Sequence, residues 1–353
     1  MKKNLLSILM AVVFLLLCLL PSVGMLLTGP APLLANEAAP RTPRLTGSDG
    51  RLNPDFLTEV TDYIGTRFAL RPAMVSARSF LFEKLFHCSA EPQVLLGRGI
   101  ELYYTSTLDD YCGMSLPDDD LHAVVRQLRA IQAAVEENGG RFLFTVAPNK
   151  NTLLPGGMPA RFPENHAQSN LARLVPLLHE EGIPYVDLQA VLADGAALYY
   201  KTDSHWTAEG AAYAADALLQ ALDRESAYAD GPFREDGMHV GDLYQMLYPL
   251  GKGRETELVY APGLSFETES DPRGGNAITI RTSSPDGQGS LYCLRDSFGI
   301  ALYPYLADSF AEAVFSRSAD YSPAAFVDLS ADVVILEIVE RNLPRLLPTG
   351  DAA

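Results

Sequence analysis

The sequence predicts a three-layer α/β/α domain with a mainly parallel sheet. Apolar runs that end in polar residues recur along the chain, and amphipathic stretches with helical spacing lie between them. Near-continuous apolar runs are typical of central parallel strands, because such strands are buried on both faces. The runs that carry this prediction are Arg141–Ala147, Tyr185–Leu188, Ser290–Leu294 and Asp332–Asn342.

The amino-terminal segment is predicted to export the chain. Lys2 and Lys3 precede an uncharged apolar run from Leu5 to Leu20, which is the pattern of a signal segment. The apolar character continues to Leu27, a length sufficient to span a bilayer. Residues 1–28 are therefore interpreted as an uncleaved signal anchor, with a cleaved signal peptide as the alternative. The remainder is then extracytoplasmic, either on a single membrane span or secreted.

The next part of the chain leads from the membrane into the domain. Residues 29–49 are rich in Pro, Ala and Gly and are interpreted as a linker. The domain is predicted to occupy residues 50–345, and residues 346–353 form a short tail. It opens with two segments at helical spacing, followed by a small hairpin. These are Asn53–Tyr63, Met74–Phe86 and Gln93–Tyr104.

Two helix–strand pairs follow. The amphipathic stretch Leu121–Glu137 predicts a helix, which Asn138-Gly-Gly terminates before the strand Arg141–Ala147. A second helix, Asn165–Glu181, stops at a glycine and leads to the strand Tyr185–Leu188. Together they form a βαβ unit, whose two strands are parallel.

The carboxyl-terminal half is predicted to add two helices and three strands. The hydroxyl of Thr207 is expected to cap a helix that runs to Leu222. Strands are predicted at Ala277–Arg281 and Ser290–Leu294, and a further helix follows the second of them. Asp332–Asn342 is the last strand. No usable period predicts an element between Ser226 and Asp271.

Charge and cysteine content exclude several classes of protein. The chain of 353 residues has 27 basic and 44 acidic residues and a net charge of −17, so it lacks the basic surface that nucleic-acid binding needs. Its four cysteines are too few for a disulfide scaffold. Cys88 and Cys112 have the option of pairing, whereas Cys293 is expected to be a buried small hydrophobe. No Gly-rich phosphate loop is visible, and no cofactor is implied.

The most informative stretch is Lys201-Thr-Asp-Ser-His-Trp-Thr207. It sets the Asp203 carboxylate and the His205 imidazole on a short connector ahead of a helix. This is the pair a nucleophile requires, with His205 as the base and Asp203 holding its tautomer. Taken singly, an Asp-x-His is more often a capped helix start. No third ligand at informative spacing accompanies the pair, so no metal site is predicted.

Ser297 is the candidate nucleophile. The apolar run before it is expected to be a buried strand that ends in Asp296-Ser297 and continues as a helix. Such a turn places a serine hydroxyl at the carboxyl edge of a sheet, beside the free N–H groups of a helix start. The plainer interpretation of Asp-Ser-Phe is a turn. Asn149 and Lys150 follow the strand that ends at Ala147 and are further candidates, because ligands collect at the carboxyl ends of parallel strands.

Three motifs together resemble the SGNH-hydrolase-like domain of alginate O-acetyltransferases such as AlgJ and AlgX, and the related bacterial DHHW proteins. They are Tyr200-Lys-Thr-Asp-Ser-His-Trp-Thr207, Arg295-Asp-Ser-Phe-Gly299 and Ile335–Leu343. The resemblance extends from about Leu45 to Leu343. It implies a flavodoxin-like sheet and a permuted motif order, with the Asp/His block ahead of the serine block.

The resemblance also implies an activity and its residues. It identifies the chain as an exported O-acetyltransferase with a Ser297, His205 and Asp203 triad that acts through an acetyl-serine intermediate. It assigns the oxyanion to Asn342, with Arg341 as the adjacent alternative or as a ligand of the polysaccharide. The acceptor is a cell-surface or extracellular polysaccharide, and a membrane-bound O-acyltransferase partner supplies the acetyl group.

Two other function classes stay open at this point. An exported carbohydrate acetylesterase would use the same triad and pass the acetyl group to water. A glycan-binding protein would use the fold without the chemistry. Many SGNH members have Gly before Asp-Ser, whereas this chain has Arg295. That departure favours the binding protein, while the intact Ser297, His205 and Asp203 favour an enzyme.

Overall fold

The computed structural model describes residues 2–34, 37–47, 49–193, 198–269 and 278–348. The chain divides into two compact units, Met1–Leu95 with Val240–Gly253, and Leu96–His239 with Arg254–Ala353. The predicted limits at residues 28, 49 and 345 stay predictions. The boundary between the units falls inside the predicted domain range 50–345.

The first unit is helical. Its helices are α1 (Lys2–Thr28), α2 (Phe56–Arg67), α3 (Arg71–Phe86) and α10 (Asp242–Leu247). Helix α10 packs against α3. Arg71, at the start of α3, donates to the Glu37 carboxylate at 2.8 Å. This contact ties the Pro-rich stretch before α2 to the helices of its own unit.

The second unit contains the remaining helices and nearly all strands. The helices are α4 (Leu108–Tyr111), α5 (Asp118–Glu137), α6 (Lys150–Leu153), α7 (Asn170–Glu180), α8 (Leu188–Leu192), α9 (Ala208–Ala221) and α11 (Gly299–Ser309). The strands are β2 (Leu102–Tyr104), β3 (Arg141–Ala147), β4 (Tyr185–Val186), β5 (Phe233–His239), β6 (Glu255–Tyr260), β7 (Glu267–Thr268), β8 (Thr279–Ser283), β9 (Ser290–Leu294), β10 (Glu312–Ser316) and β11 (Val333–Val339). The short strand β1 (Val94–Leu96) lies at the boundary, and a 3-10 segment, Glu340–Leu346, follows β11.

A seven-stranded sheet in the order β4-β3-β11-β9-β10-β8-β7 forms the centre of this unit. The five strands from β4 to β10 are parallel, and β8 pairs with β10 in the antiparallel sense. The predicted mainly parallel sheet is therefore confirmed. Because β3, β11 and β9 are neighbours, the residues that follow them meet at one edge.

Helices cover both faces of the sheet, which confirms the three-layer architecture. Alternate residues of β11 enter opposite cores. Ile335 and Val339 pack with α9 and α11, whereas Val334, Leu336 and Ile338 pack with α5 and α7. The apolar side chains of both cores are buried against these strands, and this packing holds the sheet edge in a fixed position.

The structure also corrects several predicted elements. The strand predicted at Tyr185–Leu188 ends at Val186, because the Asp187 side chain accepts from the Ala190 N–H and starts α8. The helix predicted from Asn165 begins at Asn170, where Ser169 caps it. The strand predicted from Ala277 starts at Thr279, and Ala277 and residues 349–353 of the predicted tail lie outside the described residues.

The three cysteines at positions 88, 112 and 293 are free thiols. The pairing that the sequence left open between Cys88 and Cys112 is thus not formed. Cys293 lies in β9 and is buried, as expected. Burial raises the pKa of its thiol far above the ordinary value, so it acts as a packing residue in the core.

Candidate active site

Ser297, His205 and Asp203 meet in one hydrogen-bonded row. The His205 Nε2 lies 2.9 Å from the Ser297 Oγ, and the His205 Nδ1 lies 2.7 Å from the Asp203 Oδ1. Since an ionised carboxylate only accepts, Nδ1 donates to Asp203 and Nε2 accepts from the serine hydroxyl. This is the tautomer that a general base needs in order to take the serine proton.

Local structure holds the Asp203/His205 loop in place. The Thr207 hydroxyl accepts from the Gly210 N–H at 3.1 Å and caps α9, as predicted. The Asp203 Oδ1 also accepts from the His205 backbone N–H at 2.9 Å. The buried Trp206 indole donates to the Phe298 carbonyl at 3.1 Å. The indole therefore joins the histidine loop directly to the serine turn.

The serine turn connects β9 to α11, as the sequence predicts. The Asp296 Oδ1 accepts from the Phe298 N–H at 2.9 Å, and its Oδ2 accepts from the Val339 N–H at 2.8 Å. The Asp296 N–H donates to the fully buried Glu337 of β11 at 3.1 Å. Burial and the adjacent Asp296 carboxylate raise the pKa of Glu337 well above its usual range. The turn is thereby fixed to the neighbouring strand.

Arg295, the departure from the common SGNH pattern, is directed into the protein. Only 1% of its surface is exposed, and its Nη1 donates to the Asp296 carbonyl at 2.9 Å. Its aliphatic chain packs on Gly299 so closely that a Cβ at that glycine would lie 2.4 Å from the Arg295 Cδ. Burial lowers the pKa of the guanidinium, and Glu337 partly opposes this effect. Arg295 thus packs beneath the turn while Ser297 faces His205.

Asn342 and Arg341 follow β11 and lie beside the serine turn. The Asn342 Nδ2 donates to the Asp296 Oδ2 at 3.2 Å, next to the candidate nucleophile in sequence. The Arg341 guanidinium carbon lies 5.5 Å from the Phe298 ring centroid and 5.4 Å from that of Tyr104. The guanidinium is thus held between two aromatic rings at the sheet edge, a favourable cation–π arrangement. The oxyanion role assigned to Asn342 stays a prediction.

Arg341 also borders a small cavity of about 10 Å³, which is about the space that one water occupies. Ser204, between the two triad residues of the loop, forms part of its wall. The Asn151 side chain is 1% exposed there, and its Nδ2 has no hydrogen-bond partner among the described residues. The full lining is Tyr103, Tyr104, Thr107, Lys150, Asn151, Ser204 and Arg341.

Lys150 is directed at the histidine loop from below. Its Nζ donates to the Leu102 carbonyl at 2.8 Å and to the Lys201 carbonyl at 2.5 Å, and it pairs with Glu101 at 3.0 Å. Burial lowers the pKa of this ammonium, and Glu101 opposes the effect. With 4% of the residue exposed, Lys150 supports the backbone ahead of Asp203.

Asn149 reaches the same edge through its backbone. Its N–H donates to the Glu340 Oε2 at 2.7 Å, and the Thr152 hydroxyl donates to the same oxygen at 2.7 Å. Burial raises the pKa of Glu340 to about 7. The Asn149 side chain is buried, and its Oδ1 has no partner among the residues described. Glu340 thus joins the ends of β3 and β11, a contact that the sequence did not predict.

A second histidine contacts the triad carboxylate. The His239 Nε2 lies 2.9 Å from the Asp203 Oδ2, and its Nδ1 hydrogen-bonds to Glu257. The Tyr200 ring stacks on His239 with centroids 3.6 Å apart, and its hydroxyl donates to Glu257 at 2.8 Å. In the sequence, His239 is only a weak functional candidate, within a stretch that has no usable period, and Glu257 is not among the candidates. The spacing Glu255-x-Glu257, which puts two carboxylates on one face of a strand, was the available signal.

Comparison with known protein families gives one match. Residues 102–254 match the family model described as an SGNH hydrolase-like domain of the acetyltransferase AlgX. This part of the chain is similar to that domain. The predicted resemblance is therefore confirmed, with Asp203 and His205 inside the matched range. No curated protein sequence matches the chain significantly.

Three solved structures are similar to this chain at low sequence identity. Bacillus cereus PatB1, determined with a sulfonyl adduct, superposes with a TM-score of 0.51 at 18% identity and covers 65% of this chain and 93% of its own. The O-acetyltransferase domain of Pseudomonas putida AlgJ has a TM-score of 0.48 at 17% identity. The match covers 72% of this chain and 93% of that domain. A DHHW family protein from Eubacterium siraeum has a TM-score of 0.48 at 16% identity. The match covers 64% of this chain and 86% of that protein. At 18% identity, the likeness to PatB1 concerns the fold alone.

Proposed function

We propose that this protein is an exported, serine-dependent O-acetyltransferase that modifies a cell-surface or extracellular polysaccharide. The observation that carries the proposal is the row Ser297 Oγ, His205 Nε2 and Nδ1, Asp203 Oδ1, with steps of 2.9 and 2.7 Å. The match to an acetyltransferase domain supports acetyl as the group that is transferred. The hydrogen-bonded row supports Ser297, His205 and Asp203 as the residues that would transfer it.

The first half of the reaction acetylates the serine. The Ser297 Oγ attacks the carbonyl carbon of the acetyl donor while the His205 Nε2 takes the hydroxyl proton. Asp203 stabilises the imidazolium that forms, and the Ser297 N–H and Asn342 hold the oxyanion. When the tetrahedral intermediate collapses, the leaving group receives the proton from His205 and acetyl-Ser297 remains.

The second half passes the acetyl group on. A sugar hydroxyl loses its proton to His205 and attacks the acetyl carbon of acetyl-Ser297. The ester bond to Ser297 breaks, and the serine oxygen recovers the proton from His205. Arg341, half-buried near the Tyr104 and Phe298 rings, would bind the polysaccharide. A membrane-bound O-acyltransferase partner would supply the acetyl group from the other side of the membrane.

The full-length protein in detergent provides the test. We expect the wild type to release acetate from 4-nitrophenyl acetate. Ser297→Ala and His205→Gln should each lower turnover by at least about a thousandfold, because nucleophile and base act as one unit. Ser226→Ala and His122→Gln replace the same residue types away from the site and are expected to leave turnover unchanged.

Glycan oligomers in the same assay separate the candidate activities. Acetylated oligomer detected by mass spectrometry, and lost in Ser297→Ala, supports the transferase. Acetate alone, with no acetylated oligomer for any glycan, would support an exported acetylesterase instead. Equal inertness of the wild type and both folded variants would overturn the enzyme proposal in favour of glycan binding.

A further inference from the structure

The carboxylate of Asp203 lies between two imidazoles. Its Oδ1 contacts the His205 Nδ1 at 2.7 Å, and its Oδ2 contacts the His239 Nε2 at 2.9 Å. An ordinary Ser-His-Asp row uses one imidazole on this carboxylate. The second one has a further carboxylate, Glu257, on its far nitrogen. The hydrogen-bonded row therefore contains five side chains: Ser297, His205, Asp203, His239 and Glu257.

The geometry fixes the charge of His239. Both of its ring nitrogens contact carboxylates, and an ionised carboxylate can only accept a hydrogen bond. Both nitrogens must then carry protons, which makes the ring an imidazolium. Burial opposes this charge, but hydrogen bonds to Asp203 and Glu257 outweigh it and raise the pKa of His239 to about 9. The ring is cationic throughout the neutral range.

The surroundings hold this imidazolium rigidly. The Tyr200 ring lies parallel to it, with an interplanar angle of 6°, and covers one face of the cation. Strand β5 carries a bulge between Glu235 and Met238, with Gly237 at φ +93°. Bulges beside active sites redirect a side chain, and this one precedes His239 by two residues. On β6, Glu255 accepts from the Thr202 N–H at 2.7 Å, so the hairpin also holds the loop that carries Asp203.

We propose that His239, held by Glu257, is a positioning residue of the triad: its imidazolium orients the second oxygen of Asp203 and offsets part of that carboxylate's charge. The role rests on the proposed triad. His239 touches neither Ser297 nor the reacting atoms and acts through Asp203. The offset matters because the negative charge of Asp203 decides how readily His205 accepts a proton.

The charges around the site give the direction of the effect. With His239 cationic, the negative charges of Asp203 and Glu257 are partly balanced, and the Lys150 ammonium lies behind the loop, 3.4 Å from the Asp203 carbonyl. Replacing His239 with glutamine keeps a donor for Asp203 but removes the positive charge. The imidazolium form of His205 is then favoured more strongly, so His205 titrates at a higher pH.

Histidine titration by NMR tests the proposal on the full-length chain in detergent micelles. The six histidines are labelled at Cε1 and assigned by single His→Gln substitutions. In the wild type we expect the His239 signal to keep its imidazolium position to above pH 8. In His239→Gln we expect the titration midpoint of His205 to rise by about one pH unit. Glu257→Gln is expected to lower the His239 midpoint, because it removes one of the two carboxylates that hold the imidazolium.

His122→Gln, on the exposed side of α5, is the matched control and should leave both midpoints in place. A His239 signal that titrates below pH 7 in the wild type would overturn the proposal without the use of any variant. So would an unmoved His205 midpoint in His239→Gln, even with a lowered melting temperature, since that pattern marks a purely structural histidine. The titrations need no acetyl transfer, so a failure of the proposed activity would appear separately, in the Ser297→Ala assay.

Discussion

At the scale of single residues, buried carboxylates hold the sheet edge together. Glu340 is 1% exposed and accepts from the Asn149 N–H and the Thr152 hydroxyl. Asp296 performs the same task for the serine turn, with two backbone N–H groups and Asn342 on its oxygens. Such charge-assisted bonds fix the loops. The burial that makes them strong also raises the proton affinity of Glu340.

Glu340 is expected to make stability depend on pH. The folded chain keeps a proton on Glu340 up to about pH 7, whereas the ordinary value for glutamate is 4.5. Between these values the folded state binds more protons than the unfolded state, so the free energy of unfolding falls as pH rises. The full effect is about 3 kcal/mol, and it levels off above pH 7.

Glu340→Gln should remove this slope, because the amide does not ionise while its oxygen still accepts from Asn149. Urea unfolding of both proteins at pH 5 and pH 8 measures this slope. Between these pH values we expect the free energy of unfolding of the wild type to fall by about 2–3 kcal/mol relative to that of the variant. Glu312→Gln, at the exposed first position of β10, controls for the loss of one acidic side chain. Parallel pH curves for wild type and Glu340→Gln would contradict the prediction.

At the scale of elements, the serine turn depends on one close approach. Helix α11 begins at Gly299, and a Cβ there would lie 2.6 Å from the Arg295 Cβ. Arg295 cannot yield toward solvent, because it is buried and bonded to the Asp296 carbonyl. The glycine therefore allows strand and helix to meet within the short turn that carries Ser297.

Gly299→Ala is expected to destabilise the protein by about 1–3 kcal/mol, as overpacking of a dense site does, and to lower acetyl release by moving Ser297. Thermal unfolding and the 4-nitrophenyl acetate assay measure the two effects. Gly65→Ala in α2 is the matched control. Nothing lies within 4 Å of a Cβ at that position, so the change should be neutral or stabilise by up to about 1 kcal/mol. Equal melting temperatures for the two variants would refute the steric argument.

The elements that carry the triad are also those that the sequence predicts best. Strands β9 and β11 are apolar runs buried on both faces, and α9 has a threonine cap, so local signals suffice. Strands β5 and β10 gave no such signal. Most of β5 is exposed and charged, and its extended form comes from pairing with β6, while β10 is defined by its pairs with β9 and β8. Pairing partners distant in sequence cannot be read from a local period.

The same limit explains what was missed in the site. The pairing of Ser297 with His205 followed from complementary chemistry, and the resemblance supported it. The approach of His239 and Glu257 to Asp203 depends on the bulge in β5 and on the register of the hairpin. Neither leaves a local pattern. Lys150 and Asn149 were expected at the sheet edge and lie there, but their bonds to Lys201 and Glu340 required the folded chain.

At the scale of the whole molecule, the amino-terminal helix bears on where the protein is located. Ser7–Thr28 is long and apolar enough to cross a membrane, with a mean hydropathy of 2.7. Its apolar side chains, such as Leu15 and Leu16, are exposed. A lipid environment would cover them, so this helix could serve as the predicted signal anchor.

The full-length protein is expected to stay in the membrane pellet through alkaline carbonate extraction. The double substitution Leu15→Arg and Leu16→Arg should release it, since two charges near the centre of a span cost about 5–7 kcal/mol. Leu26→Arg and Leu27→Arg, at the end of the same helix, are the control and should be retained, because terminal arginines reach the interface. Release of the wild type, or its appearance in a shortened form, would favour a cleaved signal peptide.

The place of β11 in the sheet bears on how the protein is made. This strand is near the carboxyl terminus, yet it lies between β3 and β9 and pairs with both. Until it has been synthesised the sheet has a gap in its middle, and the edges of β3 and β9 remain unpaired. The central sheet is therefore completed only after β11 has been synthesised. Completion of the sheet is then a late and slow step of folding, because the pairing of β11 with β3 joins segments nearly 200 residues apart.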